Sequence, residues 1–258
     1  MDAIYKIADF FMTEKEAEKF VKNLYNNFIL DDRWKWLLDG LWVTIRLTFF
    51  AFIFGFLIGL IIAVVRVSHD KRVDTPTQSL FQKFLRIILG FFNLVCKIYL
   101  NVIQGTPTIV QIMIIYFVIL ASSTNKIGVA ILGFTINSSA YVAEIIRGGI
   151  NGVDKGQMEA GRSLGFGYIR TMVYIVIPQA LKSALPALCN ELVVLLKETS
   201  VASMVALQDL LSAAMLIRGR TSDAFMPLMA VAIIYLIIVS ILRSISAKLE
   251  RRLNSGDR

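Results

Sequence analysis

A chain of 258 residues that is 56% hydrophobic, with a mean hydropathy of +0.66, is too apolar for an ordinary soluble domain, where about 45–50% is usual. Its 27 basic against 19 acidic residues leave a net charge of +8, and in so apolar a sequence that excess speaks for a membrane surface and against nucleic acid. One histidine and two cysteines, Cys96 and Cys189, both inside apolar runs, offer neither a metal ligand set nor a disulfide framework.

Residues 1–40 are polar and mixed, with 6 basic and 8 acidic side chains. They lack the basic region and small-residue cleavage site of a secretory signal. They read as an extracytoplasmic segment. From Lys15 to Phe28 the apolar residues Ala17, Phe20, Val21, Leu24, Tyr25 and Phe28 recur at helical spacing, which suits a helix lying on the membrane surface. Trp34, Trp36 and Trp42 mark the membrane interface, where an indole keeps both its apolar body and its N–H satisfied.

Five apolar segments follow. The first is Leu41–Val65, whose only charge is Arg46. A basic loop, 66–86, leads to Ile87–Ser123, longer than one span needs and interrupted at Gly105-Thr106-Pro107, where proline breaks or kinks a helix. The third segment is Ile127–Ile146, the fourth Pro186–Leu207 and the fifth Ala224–Leu242, before a basic tail at 244–258. Basic residues mark the cytoplasmic side. The 66–86 loop, the 147–182 region and the tail from 243 each carry 5 Lys or Arg, whereas 122–126 carries Lys126 alone and 208–223 only Arg218 and Arg220. The fold class expected is therefore an all-α membrane protein with five transmembrane helices, N-terminus outside and C-terminus cytoplasmic. Its membrane domain is 41–243, with a cytoplasmic loop at 148–182.

That loop holds Glu159-Ala160-Gly161-Arg162-Ser163-Leu164-Gly165 and runs on to Pro178. It reads as a helix over 157–164 stopped by Gly165 and Gly167, then a second helical piece ending near Pro178. Ala160 and Gly161 make the first helix slim enough for another protein's backbone to approach. Glu159-Ala160-Gly161, three residues, Gly165, nine residues, Ile175, one residue and Ile177-Pro178 together resemble the EAA loop of ABC importer permeases. Gly161 stands where that pattern has alanine, and Ile177 where it has leucine. Gly105-Thr106-Pro107, Asn137-Ser138, Ala140-Tyr141, Leu185-Pro186-Ala187-Leu188 and Lys197-Glu198-Thr199-Ser200 resemble the polar amino acid uptake branch, although Gln104 stands where arginine is common. The resemblance covers about residues 40–252.

The resemblance implies a type I importer permease of the bacterial inner membrane that carries a polar or charged L-amino acid. It implies two ATPase subunits holding ATP and Mg²⁺, a second permease subunit, identical or homologous, an extracytoplasmic substrate-binding protein and surrounding lipid. The 159–165 stretch would be the coupling helix that docks in the ATPase. The chain itself has no Gly-rich phosphate loop, no nucleophile–base pair and no cofactor site, and so reads as a transport subunit rather than an enzyme.

On the residues alone, polar groups gather at membrane depth: Thr106, Asn137, Ser138, Glu191, Lys197, Glu198 and Thr199. A charge at the bilayer centre costs roughly 2.5–3.5 kcal/mol on insertion scales, so it faces protein or a wet cavity. Thr106-Pro107 equally suits a packing kink, and Asn137-Ser138 interhelical hydrogen bonds. Glu191 suits either a basic neighbour or the pathway. Lys197 and Glu198 point about 100° apart on a helix, so they cannot both face one small ligand unless the helix unwinds. Glu144 and Arg147 suit a local pair. An ion-driven carrier using Glu144, Glu191 and Glu198 is the main alternative, but it predicts inverted repeats, which the sequence lacks. A non-transporting membrane partner is the second.

Overall fold

A computed structural model describes residues 13–73 and 80–254, and every regular element among them is helical. Residues 1–12 of the N-terminal segment, 74–79 of the basic loop and 255–258 of the tail lie outside the described residues. Among the described residues, five helices are long and apolar enough to cross a membrane. The chain divides into two compact units, Met1–Arg46 with Thr199–Ser240 and Leu47–Glu198 with Ile241–Arg258.

In the first unit, α1 (Glu14–Leu24) opens with a capping box in which Glu16 accepts from the Thr13 N–H at 3.0 Å and its hydroxyl at 2.7 Å. Ala17 and Val21 are buried against protein, Phe20, Leu24 and Phe28 are half-buried, Tyr25 is exposed, and Lys15, Lys19 and Lys22 form the exposed face. A π-helical turn, Tyr25–Ile29, and a short 3₁₀ turn lead into α2 (Trp34–Val73). This helix is longer at both ends than the expected first span, and beyond Val65 it meets neither glycine nor proline before Val73. The unit's core joins Leu37 of α2 to Leu210, Ala213, Ala214 and Ile217 of α9 (Leu210–Thr221) and Val231 of α10 (Phe225–Asn254). The α10 helix also outruns its expected span, since the charged residues after Arg243 are good helix formers.

In the second unit, α3 (Leu80–Gln104) stops at Gly105-Thr106-Pro107 and α4 (Thr108–Ile114) restarts beyond, ending in a π-helical turn. The break falls where proline placed it. The next helix, α5 (Lys126–Gly152), is the centre of the unit and packs along α8 (Ile177–Glu198). Lipid tails are as apolar as leucine, so close van der Waals fit has to hold such helices together. Gly149 supplies it: a Cβ there would lie 2.7 Å from the Ala180 carbonyl oxygen. Val142, Ile146 and Ile150 meet Ala180, Ala184 and Leu188 across the same seam.

The 148–182 region is mostly helix. It holds the end of α5, then α6 (Lys155–Ser163) and α7 (Tyr168–Thr171). The second helical piece does not end near Pro178, and the fourth span does not begin at Pro186. Instead α7 runs through a π-helical turn, Met172–Val176, into α8, giving one apolar helix from Tyr168 to Val205. The wide turn directly before Pro178 takes up the missing N–H and the ring clash that would otherwise interrupt an α-helix.

Candidate functional site

A polar layer crosses the second unit at the middle of α5. Ser139 is the central residue of that helix, and four neighbours on the same stretch reach three other helices. Tyr99 of α3 donates to the Ile136 carbonyl and lies 2.5 Å from the Ser139 hydroxyl. Gln104 Nε2 donates to the Ala140 carbonyl at 3.2 Å. Asn137 Nδ2 donates to Gln111 Oε1 at 3.0 Å and to Thr108 Oγ1 at 3.3 Å, both on α4. Ser138 Oγ donates to Glu191 Oε1 of α8 at 3.2 Å. Thr108 also bonds the Glu198 carboxylate, and Tyr141 is close enough to Glu191 and Glu198 to feel both charges.

Gln111 organises this layer. Its amide donates to the Ile103 carbonyl at 2.7 Å, the Thr106 carbonyl at 3.0 Å and Thr106 Oγ1 at 2.7 Å. Those carbonyls belong to the broken turn, where backbone acceptors have lost helical partners. One side chain thus closes the break and, through Asn137, ties it to α5. Sequence reasoning passed over Gln111, Thr108 and Tyr99. The available signal was a lone amide inside the apolar run after Pro107, since a polar group at that depth needs a partner.

The residues singled out from sequence are placed as follows. Asn137 and Ser138 are buried and engaged as above, and Glu191 is buried against Ser138 rather than a basic group. Thr106 is exposed and donates to the Val102 carbonyl at 2.7 Å. Lys197 is exposed and Glu198 half-buried, on the last turn of α8. Thr199 is buried at the start of the 3₁₀ segment Thr199–Val205 in the first unit, bonded to Tyr235. Arg147 bonds Glu144 at 2.6 and 2.9 Å, the local pair expected.

The second feature is α6. Asp154 caps it, accepting from the Gly156 N–H at 2.6 Å. It ends in a Schellman motif: the Gly165 N–H bonds the Arg162 carbonyl at 3.0 Å, and the Phe166 N–H bonds the Gly161 carbonyl at 3.1 Å. Gly165 sits at φ +84°, a conformation that branched residues resist. Glu159, Ala160, Arg162, Ser163 and Leu164 are exposed, Leu164 at 75%. Gly161 is not: a Cβ there would lie 2.5 Å from Thr171 Cγ2 and 2.9 Å from Ile175 Cδ1. The slim face expected to admit a partner's backbone admits, at Gly161, the chain's own α7. A bond from Gln179 Nε2 to Gln157 Oε1, 3.1 Å, fastens α6 further.

Comparison with known proteins agrees with this architecture. Residues 84–255 match the family described as binding-protein-dependent transport system inner membrane component. The arginine transport system permease protein ArtQ of Bacillus subtilis is 33% identical over 224 residues, covering 86% of this chain and 94% of its own. The L-cystine transport system permease protein TcyB of Bacillus subtilis is 33% identical, covering 86% and 88%. The putative glutamine transport system permease protein GlnP of Rickettsia bellii is also 33% identical, covering 84% and 92%. A crystal structure of an amino acid ABC transporter with histidines is 37% identical, with a TM-score of 0.71 over 84% of this chain and 94% of that one. An inward-facing structure of the MetNI methionine ABC transporter, 20% identical with a TM-score of 0.64, shares the fold. The chain therefore belongs to the inner membrane components of binding-protein-dependent transport systems, within the multi-pass amino acid ABC permeases these relatives represent.

Proposed function

We propose that this permease carries a polar or charged L-amino acid through the polar layer of α4, α5 and α8, and that α6 couples it to two cytoplasmic ATPase subunits. ATP and Mg²⁺ act in those subunits. A substrate-binding protein delivers from outside, and a second permease copy or homologue completes the pathway. Asn101, Gln104 and Thr106 support that last point: they are exposed beside the broken turn, where hydrocarbon is a poor neighbour.

One observation carries the coupling. Gly161 seats α6 directly on α7, and α7 continues into the helix that bears Glu191 and Glu198. From Tyr168 to Glu191 is about 35 Å at 1.5 Å per residue. A push on the exposed face of α6 thus reaches the polar layer as movement of one stiff helix, a rigid-body switch that needs no chemistry in this chain. The deciding experiment is uptake of labelled L-arginine, L-glutamine and L-cystine by vesicles holding the full complex, with and without ATP. Uptake that follows an ion gradient and ignores ATP would overturn the reading.

The charge pattern supports an orientation with α6 inside and the turn before α5 outside. Single cysteines at Lys155 and Asn125, in a background lacking Cys96 and Cys189, are expected to label from opposite faces. Labelling of both from one face ends the five-span topology.

For the ligand, the carboxylate of Glu198 or Glu191 meets the substrate ammonium, with charge-assisted bonds the stronger kind. Ser138 orients Glu191, and Asn137 and Thr106 supply neutral polarity. Lys197 and Thr199 flank Glu198 in sequence. Glu198→Gln and Glu191→Gln are expected to lower the response of ATP hydrolysis to substrate about tenfold, the loss of roughly 1.4 kcal/mol, or to change which amino acid elicits it. Unchanged substrate dependence in both makes the two acids structural.

A further inference from the structure

The start of α2 and one face of α9 enclose a cavity of about 290 Å³, at the lower end of the range for small-molecule sites. Trp36 and Asp39 of α2, Leu216 and Arg220 of α9, and Gln208 from the preceding turn form its walls, over Gly40 and Ala213. Residues 36, 39 and 40 share one helical face, as do 213, 216 and 220. The helices come this close because Gly40 lacks a side chain: a Cβ there would lie 2.6 Å from the Asp209 carbonyl oxygen.

The walls are held rigidly. The Asp209 carboxylate caps α9, accepting from the Leu211 and Ser212 N–H groups at 3.2 and 3.1 Å. Burial pushes that carboxyl up, and these bonds pull it back. Thr44 Oγ1 accepts from the Leu210 N–H at 3.1 Å. At the far end, buried Asn27 accepts from Thr221 Oγ1 and donates to Asp223, both at 2.8 Å. A cavity built between elements fixed at both ends is preorganised, which lowers the cost of ordering a bound molecule.

The charges in the cavity stand apart. Asp39 and Arg220 make neither a hydrogen bond nor an ion pair with any described residue. On the same helix entry, by contrast, Arg33 pairs with Asp31 at 2.8 Å and Lys35 with Asp32 at 2.6 Å. Two opposite charges separated across one cavity, with an indole on the wall, match a molecule carrying both signs. Guanidinium presents a planar fork suited to carboxylate or phosphate oxygens, and an indole face favours a cation.

We propose that this cavity binds a small zwitterion, its anionic oxygens on Arg220 and its primary ammonium on Asp39. A free α-amino acid and the headgroup of an ethanolamine phospholipid share that chemistry. The cavity lies at the beginning of the membrane helix that starts with Trp34, where either can reach it. None of its residues belongs to the polar layer, so the proposal stands whether or not the transport reading does.

The test uses the full chain in lipid discs. In one arm, discs of phosphatidylglycerol alone are titrated with L-glutamine. In the other, phosphatidylethanolamine is added to the discs, and retained lipid is counted by native mass spectrometry. Wild type is expected to hold one zwitterion per chain in this cavity that Arg220→Gln and Asp39→Asn each weaken at least tenfold, while the control Arg218→Gln, an exposed position of α9 outside the cavity lining, leaves it intact. Both replaced side chains are exposed, so the fold survives either change. A response in the glutamine arm identifies a free amino acid as the ligand, and one in the ethanolamine arm a lipid. Equal binding by wild type and both variants in both arms overturns the proposal. So does binding that falls in Arg218→Gln and not in Arg220→Gln.

Discussion

Gln111→Leu is expected to remove most transport and to lower the thermal stability of the purified permease markedly, although leucine nearly preserves the volume. The loss is one of hydrogen bonds. Wild-type Gln111 donates to two backbone carbonyls, those of Ile103 and Thr106, and to the Thr106 hydroxyl. Its Oε1 accepts from Asn137. Leucine leaves all of these without that partner, and the bonds to the Ile103 carbonyl and from Asn137 are buried. Each buried group left unpaired costs roughly 1–3 kcal/mol. Membrane reference states soften such penalties, since an unfolded segment also finds partners, so the lower end of that range per group is expected. Even so, the sum exceeds about 2 kcal/mol, enough to change the population of the closed break some thirtyfold.

Two comparisons separate this account from simple loss of polarity. Asn137→Ala deprives Gln111 of one donor and leaves the carbonyls of the break satisfied, so its effect on stability is expected to be clearly smaller. Gln111→Glu keeps the acceptor for Asn137 but loses the amide donors, so it is expected to resemble Gln111→Leu in stability. Thermal melting in detergent, followed by size exclusion, and ATP-driven uptake are the two measurements. Normal melting and uptake in Gln111→Leu would show that the break is held by helix packing alone.

The five crossings and the break before Pro107 were legible because they rest on signals that act locally: long apolar runs, and a proline that cannot donate. Helix ends were less legible. The α2 and α10 helices continue past their apolar cores because charged residues extend a helix readily, and hydropathy alone does not register that. Pro178 misled for a related reason. A proline need not end a helix, as Pro186 inside α8 also shows, and the π-helical turn Met172–Val176 that precedes Pro178 is a tertiary choice with no clear sequence mark. Asn137, Ser138 and Glu191 stood out by type and depth, and the structure brings the last two together. Gln111 was passed over because its importance comes from two carbonyls freed by the break just before it, which become visible as acceptors only once the turn is built. Gly161 was noticed for its smallness, and the structure adds one surface that needs it, Thr171 and Ile175 of the following helix, whose position no local signal gives.

That placement determines what substitutions in the 159–165 stretch, proposed to couple to the ATPase, should do. A Cβ at Gly161 would lie 2.5 Å from Thr171 Cγ2 and 2.9 Å from Ile175 Cδ1. Thr171 is fully buried and cannot swing away. Overpacking of this kind costs typically about 1–3 kcal/mol, so Gly161→Ala is expected to lift α6 off α7 and lower coupled transport roughly tenfold, and Gly161→Trp to abolish it. If the clash is with this chain, Thr171→Ala with Ile175→Val should restore uptake to Gly161→Ala by removing the atoms that block the new methyl. If instead Gly161 contacts the ATPase, that pair of changes restores nothing. Gly165 acts differently. No atom lies within 4 Å of a Cβ built there, so only its φ of +84° resists a side chain. Gly165→Leu is therefore expected to cost about 1–2 kcal/mol through the Schellman turn, and no change in neighbouring side chains will rescue it. In the Gly161 and Gly165 variants membrane insertion should persist, because both residues lie outside the five spans. The decisive readings are subunit retention, ATP hydrolysis and uptake, measured on the same preparation. Retained ATPase with hydrolysis that no longer responds to substrate is the expected signature, since a loosened α6 can still be gripped but cannot move the helix that carries Glu191 and Glu198.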